Sequence, residues 1–324
     1  MAEAFEGWEV ALAAQPRDGG YGFDLEHALS SVVAIRAHVP SDAFTADTLG
    51  TERLGNAVLI REDGVLLTIG YLITEAERVT LTTRDGREIA GHVLGYDQIT
   101  GFGLVQALEP LNIPTLPMGT SKSLSLGDNV VIAGAGGRSH SVAAHIAARQ
   151  PFAGYWEYVL DEAIFTAPAH PHWSGAAMIG PTGELLGIGS LQLEHEAPGG
   201  RAAPINMMVP IELLAPIFDD LVSGQPKDQR PWLGVFAQEV EGRVVAVGFA
   251  GAGPARRAGM REGDAILAVD GRKVEDLAGF YRRVWALGAP GVNVPLRLDR
   301  EGDVFEVNIT SGDRRRFLKK PRYH

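Results

Sequence analysis

The segment that decides the fold class is 55–73, with the sequence GNAVLIREDGVLLTIGYLI. It contains two apolar runs, at 55–60 and 65–69, which are separated by a charged turn. Apolar runs of this length between turn residues are typical of β-strands. Short runs rich in β-branched residues continue to alternate with Gly, Asp and Pro turns from residue 25 to about 223, for example at 32–35, 79–82 and 130–133. This pattern predicts a β-barrel or a β-sandwich.

The first region ends in a helix and a linker. Residues 211–222 carry apolar side chains at helical spacing, which predicts a helix that closes the domain. The polar residues that follow contain Gly and Pro and predict a linker. We expect the chain to be organised as an N-terminal extension at 1–24, a first domain at 25–223, a linker at 224–230, a second domain at 231–313 and a basic tail at 314–324.

The second domain opens with a distinctive loop, Trp232, Leu233, Gly234 and Val235. This loop resembles the carboxylate-binding loop of a PDZ domain, in which backbone N–H groups bind a peptide's C-terminal carboxylate while the peptide adds a strand to the sheet edge. A helix predicted at 274–287 is expected to border the groove. Its expected pocket walls are Phe280, Tyr281 and Val284. Core packing is the alternative role for these three, because any docked helix has such an apolar stripe.

The motifs of both domains occur in the order of the HtrA/Deg family, which the chain resembles from about residue 28 to 312. In that family a trypsin-like protease domain precedes a PDZ domain. The matching segments of the protease domain are 55–60, 63–68, 79–81, 85–87, 93–97, 116–119, 126–131, 183–188 and 209–211. The resemblance implies a mainly β protein, a chymotrypsin-like double six-stranded β-barrel followed by one α+β PDZ domain.

The resemblance also identifies the positions of a Ser-His-Asp triad, and two of the three differ from the family. The family has Thr-Asn-x-His-Val-Val where residues 68–73 are TIGYLI, so Tyr71 replaces the base. It has Thr-Asp-Leu-Ala-Leu where residues 100–104 are TGFGL, so Gly101 replaces the acid. Asp97 matches a turn aspartate of the family instead. Because a serine hydroxyl needs an adjacent base to act as a nucleophile at neutral pH, these replacements predict an inactive protease.

The serine position is retained, but its loop is altered. The family's Gly-Asn-Ser-Gly-Gly-Pro corresponds to HWSGAA at 172–177, which keeps Ser174 and Gly175. His172 replaces a glycine that helps to present oxyanion-hole donors, so His172 and Trp173 now occupy the oxyanion-hole position. Each such donor contributes roughly 10²–10³ in rate. We expect an impaired oxyanion hole, and a structural role for Ser174 in a tight loop fits better than catalysis.

A replacement base would have to come from Tyr71 or from a nearby histidine. Tyr71 has an ordinary pKa of about 10 and is a donor at pH 7. The candidate histidines are His140, His145, His170 and His172. Polar loop residues without a catalytic role are the preferred interpretation, and rescue by a residue such as His172 is the alternative. The spacing of His170 and His172 also suits a metal, but a structural zinc needs four ligands and the chain has no cysteine, so no metal or cofactor is expected.

Composition limits the partners and the compartment. The 324 residues have a formal charge of −11, and the body without its basic tail has a charge of −17. An acidic body is a poor generic binder of nucleic acid, so no nucleic-acid partner is expected. No apolar run reaches the ~18 residues of a membrane span. The acidic start lacks the features of a signal peptide, which predicts a cytoplasmic protein, with the periplasm as the alternative if this start is not native.

The chain termini carry two further expectations. The N-terminal extension predicts a helix at 2–14, and its aromatic residues are Phe5, Trp8, Tyr21 and Phe23. The resemblance implies a homotrimer held by aromatic contacts in this region, whereas packing within the chain is the plainer alternative. The basic tail is expected to be a solvated end.

The intact PDZ loop beside an altered triad favours binding over cleavage. The preferred hypothesis is a pseudoprotease adaptor or scaffold whose PDZ groove binds the C-termini of partner proteins. One alternative is an atypical active serine endopeptidase that uses Ser174 with a non-standard base. The other is a chaperone-like holdase, which would lack a preference for C-terminal sequences.

Overall fold

The computed structural model describes residues 8–17, 19–197, 200–224 and 229–319, and the chain forms two compact units. The described residues of the first unit lie within 1–150 and 162–226, and those of the second lie within 151–161 and 227–319. Segment 151–161, which the sequence assigned to the first domain, is therefore part of the second unit.

The first unit contains two closed barrels of six strands. The strands are β1 (Val32–His38), β2 (Glu52–Leu59), β3 (Val65–Ile69), β4 (Arg78–Thr82), β5 (Glu88–Tyr96), β6 (Phe102–Ala107), β7 (Asn129–Ala133), β8 (Ser141–Gly154), β9 (Tyr158–Ala167), β10 (Ala177–Ile179), β11 (Leu185–Ala197) and β12 (Arg201–Pro210). The strand order is β1-β2-β3-β6-β5-β4 in the first barrel and, equivalently, β7-β8-β9-β12-β11-β10 in the second. The predicted double six-stranded barrel is confirmed.

The β2–β3 hairpin shows why the diagnostic sequence forms strands. Val58 pairs with Leu67 across the hairpin, and Leu66 and Leu67 are fully buried in the barrel. The turn is closed by a 3.1 Å hydrogen bond from the Gly64 N–H to the Arg61 carbonyl. Gly64 has a φ of +88°, which glycine adopts without the steric cost of a Cβ. The turn thus fixes the register that sends the apolar side chains inward.

Short helices connect the strands of the first unit. They are α1 (Leu25–Ser30), α2 (Ala46–Leu49), α3 (Gly70–Ile73) and α4 (Phe218–Val222). The predicted closing helix at 211–222 is wrong as a single element, because two 3-10 segments, Ile211–Leu213 and Ala215–Ile217, precede α4. Pro216 explains the interruption, since proline lacks an N–H and disfavours helical backbone in the residue before it.

The N-terminal extension also differs from its prediction. Of the helix expected at 2–14, the described part contains only the 3-10 segment Leu12–Ala14, and residues 2–7, with Phe5, lie outside the described residues. Val10 instead donates its N–H to the Ser139 carbonyl at 2.8 Å, so this N–H is not used in a helical hydrogen bond, and its side chain is buried.

The second unit is built on one six-stranded sheet with two helices. Its elements are β13 (Val235–Val240), β14 (Arg243–Phe249), α5 (Pro254–Arg257), β15 (Ala265–Val269), β16 (Arg272–Lys273), α6 (Leu277–Trp285), β17 (Asn293–Arg300) and β18 (Asp303–Thr310). The sheet order β13-β14-β15-β17-β18, with β16 beside β15, leaves β13 at an edge. An edge strand presents unpaired backbone groups to a ligand strand.

The ends of the second unit refine two predictions. Helix α6 is shorter than the predicted 274–287 because the Asp276 carboxylate caps it, accepting the Gly279 N–H at 2.5 Å. The basic tail begins with a 3-10 segment, Arg314–Arg316, and the Phe317 ring lies 4.8 Å from that of Trp232. The tail up to residue 319 is therefore packed on this unit, while Lys320 and Arg322 lie outside the described residues. Among the described residues, no helix has the length and apolar composition needed to cross a membrane.

Candidate functional site

Tyr71 and Ser174 are in direct contact at the site that corresponds to a catalytic centre. Helix α3 positions Tyr71 so that its Oη lies 2.7 Å from Ser174 Oγ and 2.8 Å from the Ser190 carbonyl oxygen. A phenol has one proton for these two neighbours, and the carbonyl can only accept. Whether the phenol donates its proton to Ser174 or to the Ser190 carbonyl, Ser174 faces a neutral phenol. The position that holds the histidine base in the family is thus filled by a phenol in contact with Ser174 Oγ.

Burial makes Tyr71 unsuitable as a base. Removal from water destabilises the phenolate and raises the pKa of Tyr71 from 10 to about 12, although hydrogen bonds to Ser174 and Trp173 partly offset this effect. Tyr71 is therefore protonated throughout the physiological range. Ser174 keeps a hydrogen bond to Tyr71, but a protonated phenol cannot take its proton.

The position of the acid is occupied by backbone. Gly101 lies in the β5–β6 turn with a φ of +86°, and its carbonyl accepts the Gly70 N–H at 2.6 Å. A Cβ at Gly70 would lie 3.1 Å from that carbonyl oxygen, so α3 and the turn pack closely. The nearby Asp97 carboxylate accepts the Thr100 N–H at 2.6 Å and caps its own turn. Neither position 101 nor Asp97 thus orients a base.

The loop that carries Ser174 is anchored to β2 through Asn56. The Ser174 carbonyl accepts the Asn56 N–H at 2.8 Å and the Asn56 Nδ2–H at 3.0 Å. Gly175 has a φ of +74°, and a Cβ there would lie 2.0 Å from the Asn56 carbonyl oxygen. Glycine is therefore required at position 175. This anchoring gives the retained Ser-Gly pair a structural role that does not depend on catalysis.

The oxyanion-hole position is altered in its backbone as well as its side chain. The His172 N–H donates to His170 Nδ1 at 3.0 Å, while His170 Nε2 donates to the His140 carbonyl at 2.8 Å. The N–H that would stabilise an oxyanion is thus already bonded. Both ring nitrogens of His170 are used, and burial lowers its pKa to about 4, so it is a neutral structural residue.

The other candidate histidines lie in an aromatic cluster or on the surface. The Trp8 ring lies 4.2 Å from that of His172, 4.9 Å from His140 and 5.7 Å from His170. Burial lowers the pKa of His172 as well. His145 is exposed on β8. In the described ranges no three potential ligands have the geometry of a metal site. Trp8 packs within the chain, the alternative considered for the N-terminal aromatics.

In the second unit, the loop that resembles a PDZ carboxylate-binding loop contacts the Glu157 side chain. Gly234, at a φ of +71°, turns the backbone so that three consecutive N–H groups converge on the Glu157 carboxylate. The nitrogen-to-Oε1 distances are 3.3 Å from Leu233, 2.7 Å from Gly234 and 3.3 Å from Val235. Trp232, the first residue of the loop, is buried and exchanges backbone hydrogen bonds with Gly312.

The predicted pocket walls are all core residues. Phe280, Tyr281 and Val284 are buried in the hydrophobic core of the second unit, so the packing alternative applies to them. Tyr281 has a second role, because its Oη donates to the Tyr155 carbonyl at 2.8 Å. Sequence reasoning missed Tyr155 and Glu157, since Glu157 is 76 residues from Leu233 and one glutamate has no pattern. The aromatic run around it is the only signal that could have drawn attention.

Comparison with known proteins agrees with this geometry. Residues 55–188 match the family described as "Trypsin-like peptidase domain", and residues 231–310 match the one described as "PDZ domain". The fold and the two sites thus define a trypsin-like peptidase domain followed by a PDZ domain. With these two domains in this order, the chain is an HtrA/Deg-like protein.

Two curated relatives illustrate the degree of similarity. A probable periplasmic serine endoprotease DegP-like from Halomonas elongata is 29% identical over 278 residues, which cover 80% of this chain and 56% of that protein. The periplasmic pH-dependent serine endoprotease DegQ of Escherichia coli is 28% identical over 319 residues, which cover 88% of this chain and 69% of that protein. The chain spans little more than half the length of the first relative.

Solved structures share the fold at lower identity. The serine endoprotease from Yersinia pestis has a TM-score of 0.53 at 23% identity, covering 89% of this chain and 96% of that one. The HtrA-type protease AlgW with a decapeptide has a TM-score of 0.54 at 21% identity, covering 93% of this chain and 100% of that one.

Proposed function

We propose that this chain is a pseudoprotease that acts as a PDZ-mediated protein-binding adaptor or scaffold. The observation that carries the proposal is the 2.7 Å contact between Ser174 Oγ and Tyr71 Oη, because burial keeps that phenol protonated. Without a proton acceptor, the serine hydroxyl remains a poor nucleophile at neutral pH.

Two further groups needed for catalysis are missing or engaged, so replacing Tyr71 alone would not restore it. Gly101 offers no carboxylate to orient a base, and the His172 N–H is engaged by His170. In serine proteases these groups act as a unit, so the loss of any one is severe. The combination supports binding as the surviving activity.

The PDZ loop supports the binding half of the proposal. Leu233, Gly234 and Val235 present N–H groups to a carboxylate, and the edge strand β13 offers backbone groups to an added strand. These are the two elements that recognition of a C-terminal peptide requires. The proposed partners are therefore proteins with accessible C-termini.

The names of the relatives favour one alternative and one compartment. Both curated relatives are named serine endoproteases, so an active enzyme with a non-standard base is the second candidate. Both are also named periplasmic, and we propose the periplasm in preference to the cytoplasm that the first residues suggested. A homotrimer remains part of the proposal.

Peptide binding tests the adaptor function. A pool of fluorescein-labelled decapeptides with five randomised C-terminal positions would be titrated with the full chain and followed by anisotropy. We expect binding that disappears when the same pool carries C-terminal amides. Equal binding of both pools would support the holdase instead, and cleavage of the pool that is lost in Ser174→Ala would support the endopeptidase.

A further inference from the structure

Segment 151–161 of the second unit has the geometry of a peptide bound to a PDZ groove. At one end, the Glu157 carboxylate accepts the N–H groups of the carboxylate-binding loop, with the shortest contact of 2.7 Å to Gly234. Two residues earlier, the Tyr155 carbonyl accepts the Ala237 N–H from the edge strand β13 at 3.0 Å. A carboxylate in the loop and a main-chain bond along the edge strand are the two contacts that define this mode of recognition.

Side chains reinforce the main-chain contacts of the segment. Tyr281 Oη donates a second hydrogen bond to the Tyr155 carbonyl, and the Tyr155 ring lies 5.7 Å from that of Phe236 in an edge-to-face arrangement. Val159 is buried in the hydrophobic core of the unit. The segment is therefore held at several positions, and not by Glu157 alone.

The backbone of the segment is arranged to deliver the glutamate. Glu157 itself has a φ of +62°, a conformation that is uncommon for residues other than glycine. Trp156 stacks on Tyr158 at 5.7 Å, and a Cβ at Gly154 would lie 2.7 Å from the Trp156 ring. Such backbone strain persists only where surrounding contacts maintain it. Here those contacts are the packed aromatic rings and the loop N–H groups.

We propose that segment 151–161 is a built-in ligand of the PDZ groove, in which the Glu157 side chain substitutes for the C-terminal carboxylate of a partner peptide. This inference rests on the proposed peptide-binding function. An external peptide occupies the groove only after it displaces the segment, so that its terminal carboxylate takes the place of Glu157. The contacts of Tyr155 further define the preferred partner, a C-terminus with an aromatic residue two positions before its carboxylate-bearing end.

The test measures the groove with and without its internal ligand, in the full chain. Hydrogen exchange would be compared in the wild type, in Glu157→Ala and in Glu306→Ala, with no peptide present. We expect the amides of residues 233–235 to exchange at least about tenfold faster in Glu157→Ala, because their acceptor is gone. Glu306→Ala is the matched control, since the same substitution is then made at an exposed position on β18, at the other edge of the sheet from β13. Unchanged exchange in Glu157→Ala would overturn the inference.

The same variants would then be titrated with the decapeptide pool described above. We expect Glu157→Ala to bind the free-carboxylate pool at least about tenfold more tightly than the wild type, with Glu306→Ala unchanged. Equal affinities would overturn the inference. If exchange increases in Glu157→Ala while neither this variant nor the wild type binds the pool, segment 151–161 would still be the internal ligand, and the proposed adaptor function would be wrong.

A measurement on the wild type gives a test that does not depend on whether Glu157→Ala folds correctly. Saturating peptide should accelerate amide exchange within 151–161 in the wild type, since displacement exposes that segment. Peptide that binds without this acceleration would occupy another site and would contradict displacement. Glu157→Gln, a neutral side chain of the same volume that keeps an acceptor oxygen, should leave the segment docked and bind peptide no more tightly than the wild type from pH 5 to 8.

Discussion

The loop at 233–235 and the loop that carries Ser174 differ in where their backbone N–H groups are directed. In the loop, three such groups converge on the Glu157 carboxylate. At the serine site, the corresponding His172 N–H is bonded to His170. The loop depends mainly on backbone geometry, which Gly234 secures, whereas a protease site also needs side chains at three positions. The proposed function follows from this difference, because side-chain replacement would remove proteolysis and leave carboxylate binding by the loop intact.

The largest effect should come from Gly175→Ala, which tests whether the serine loop has a structural role. The new Cβ would lie 2.0 Å from the Asn56 carbonyl oxygen at a φ of +74°. We expect the free energy of unfolding of the first unit to fall by about 3–5 kcal/mol in urea denaturation. Gly127→Ala is the matched control, because its φ is +87° but nothing lies within 4 Å, and it should cost only about 1 kcal/mol. Equal losses would mean that the loop is not tightly anchored.

A pH titration should produce the next largest effect, at the PDZ loop. Burial raises the pKa of Glu157 from 4.5 to about 7, although the loop N–H groups and the charge of Arg314 oppose the shift. The docked segment therefore favours the protonated acid, and docking is strongest below pH 4.5 and weakens as the pH rises through 7. The neighbouring Tyr281 stays neutral, since its pKa is raised, and a peptide's terminal carboxylate is ionised throughout.

External peptides should consequently bind more tightly as the pH rises from 5 to 8, by up to roughly 100-fold. Anisotropy titrations of the decapeptide pool across this range would measure the change. In Glu157→Gln the pH dependence should flatten. A higher peptide affinity at pH 5 than at pH 8 in the wild type would contradict this, because it would show that the groove stabilises the ionised Glu157 carboxylate.

Removing the Tyr71 hydroxyl should have a moderate effect on stability and none on catalysis. Tyr71→Phe leaves the Ser190 carbonyl without its 2.8 Å donor, which should lower the free energy of unfolding by about 1–2 kcal/mol. Ser174→Ala removes only the serine end of the network and should cost less, because Tyr71 keeps the carbonyl. A larger loss in Ser174→Ala would indicate that the serine is the main anchor of the pair.

The smallest change is expected from restoring the base alone. Tyr71→His should leave peptide hydrolysis at background, since Gly101 provides no orienting carboxylate and the His172 N–H is engaged. Fluorogenic-peptide assays from pH 6 to 9 would detect any gain. Hydrolysis above that of Tyr71→His combined with Ser174→Ala would show that the oxyanion hole is functional after all.

The sequence predicted the features that depend on local pattern. Strands at 32–35, 79–82 and 130–133 lie in β1, β4 and β7, because alternating apolar runs and Gly turns determine strands locally. The sequence also located Tyr71 and Ser174, and the structure brings their hydroxyls together. It did not predict the hydrogen bond between His172 and His170, because loop backbone direction depends on packing across the barrel.

The contact of Glu157 with the PDZ loop could not have been predicted for a different reason. It joins two positions 77 residues apart, and no periodicity connects them. The assignment of 151–161 to the first domain followed its place in the chain, whereas its aromatic side chains and its carboxylate pack with the second unit. Only the tertiary structure brings Glu157 to the N–H groups of residues 233–235.

The most direct test of the central claim is activity-based labelling of Ser174. Purified wild type and Ser174→Ala would be treated with a fluorophosphonate probe and assayed in parallel for casein and fluorogenic-peptide hydrolysis. We expect no labelling of Ser174 and no turnover in either protein, because Tyr71 is protonated and the His172 N–H is engaged. Labelling or hydrolysis that is present in the wild type and lost in Ser174→Ala would contradict it.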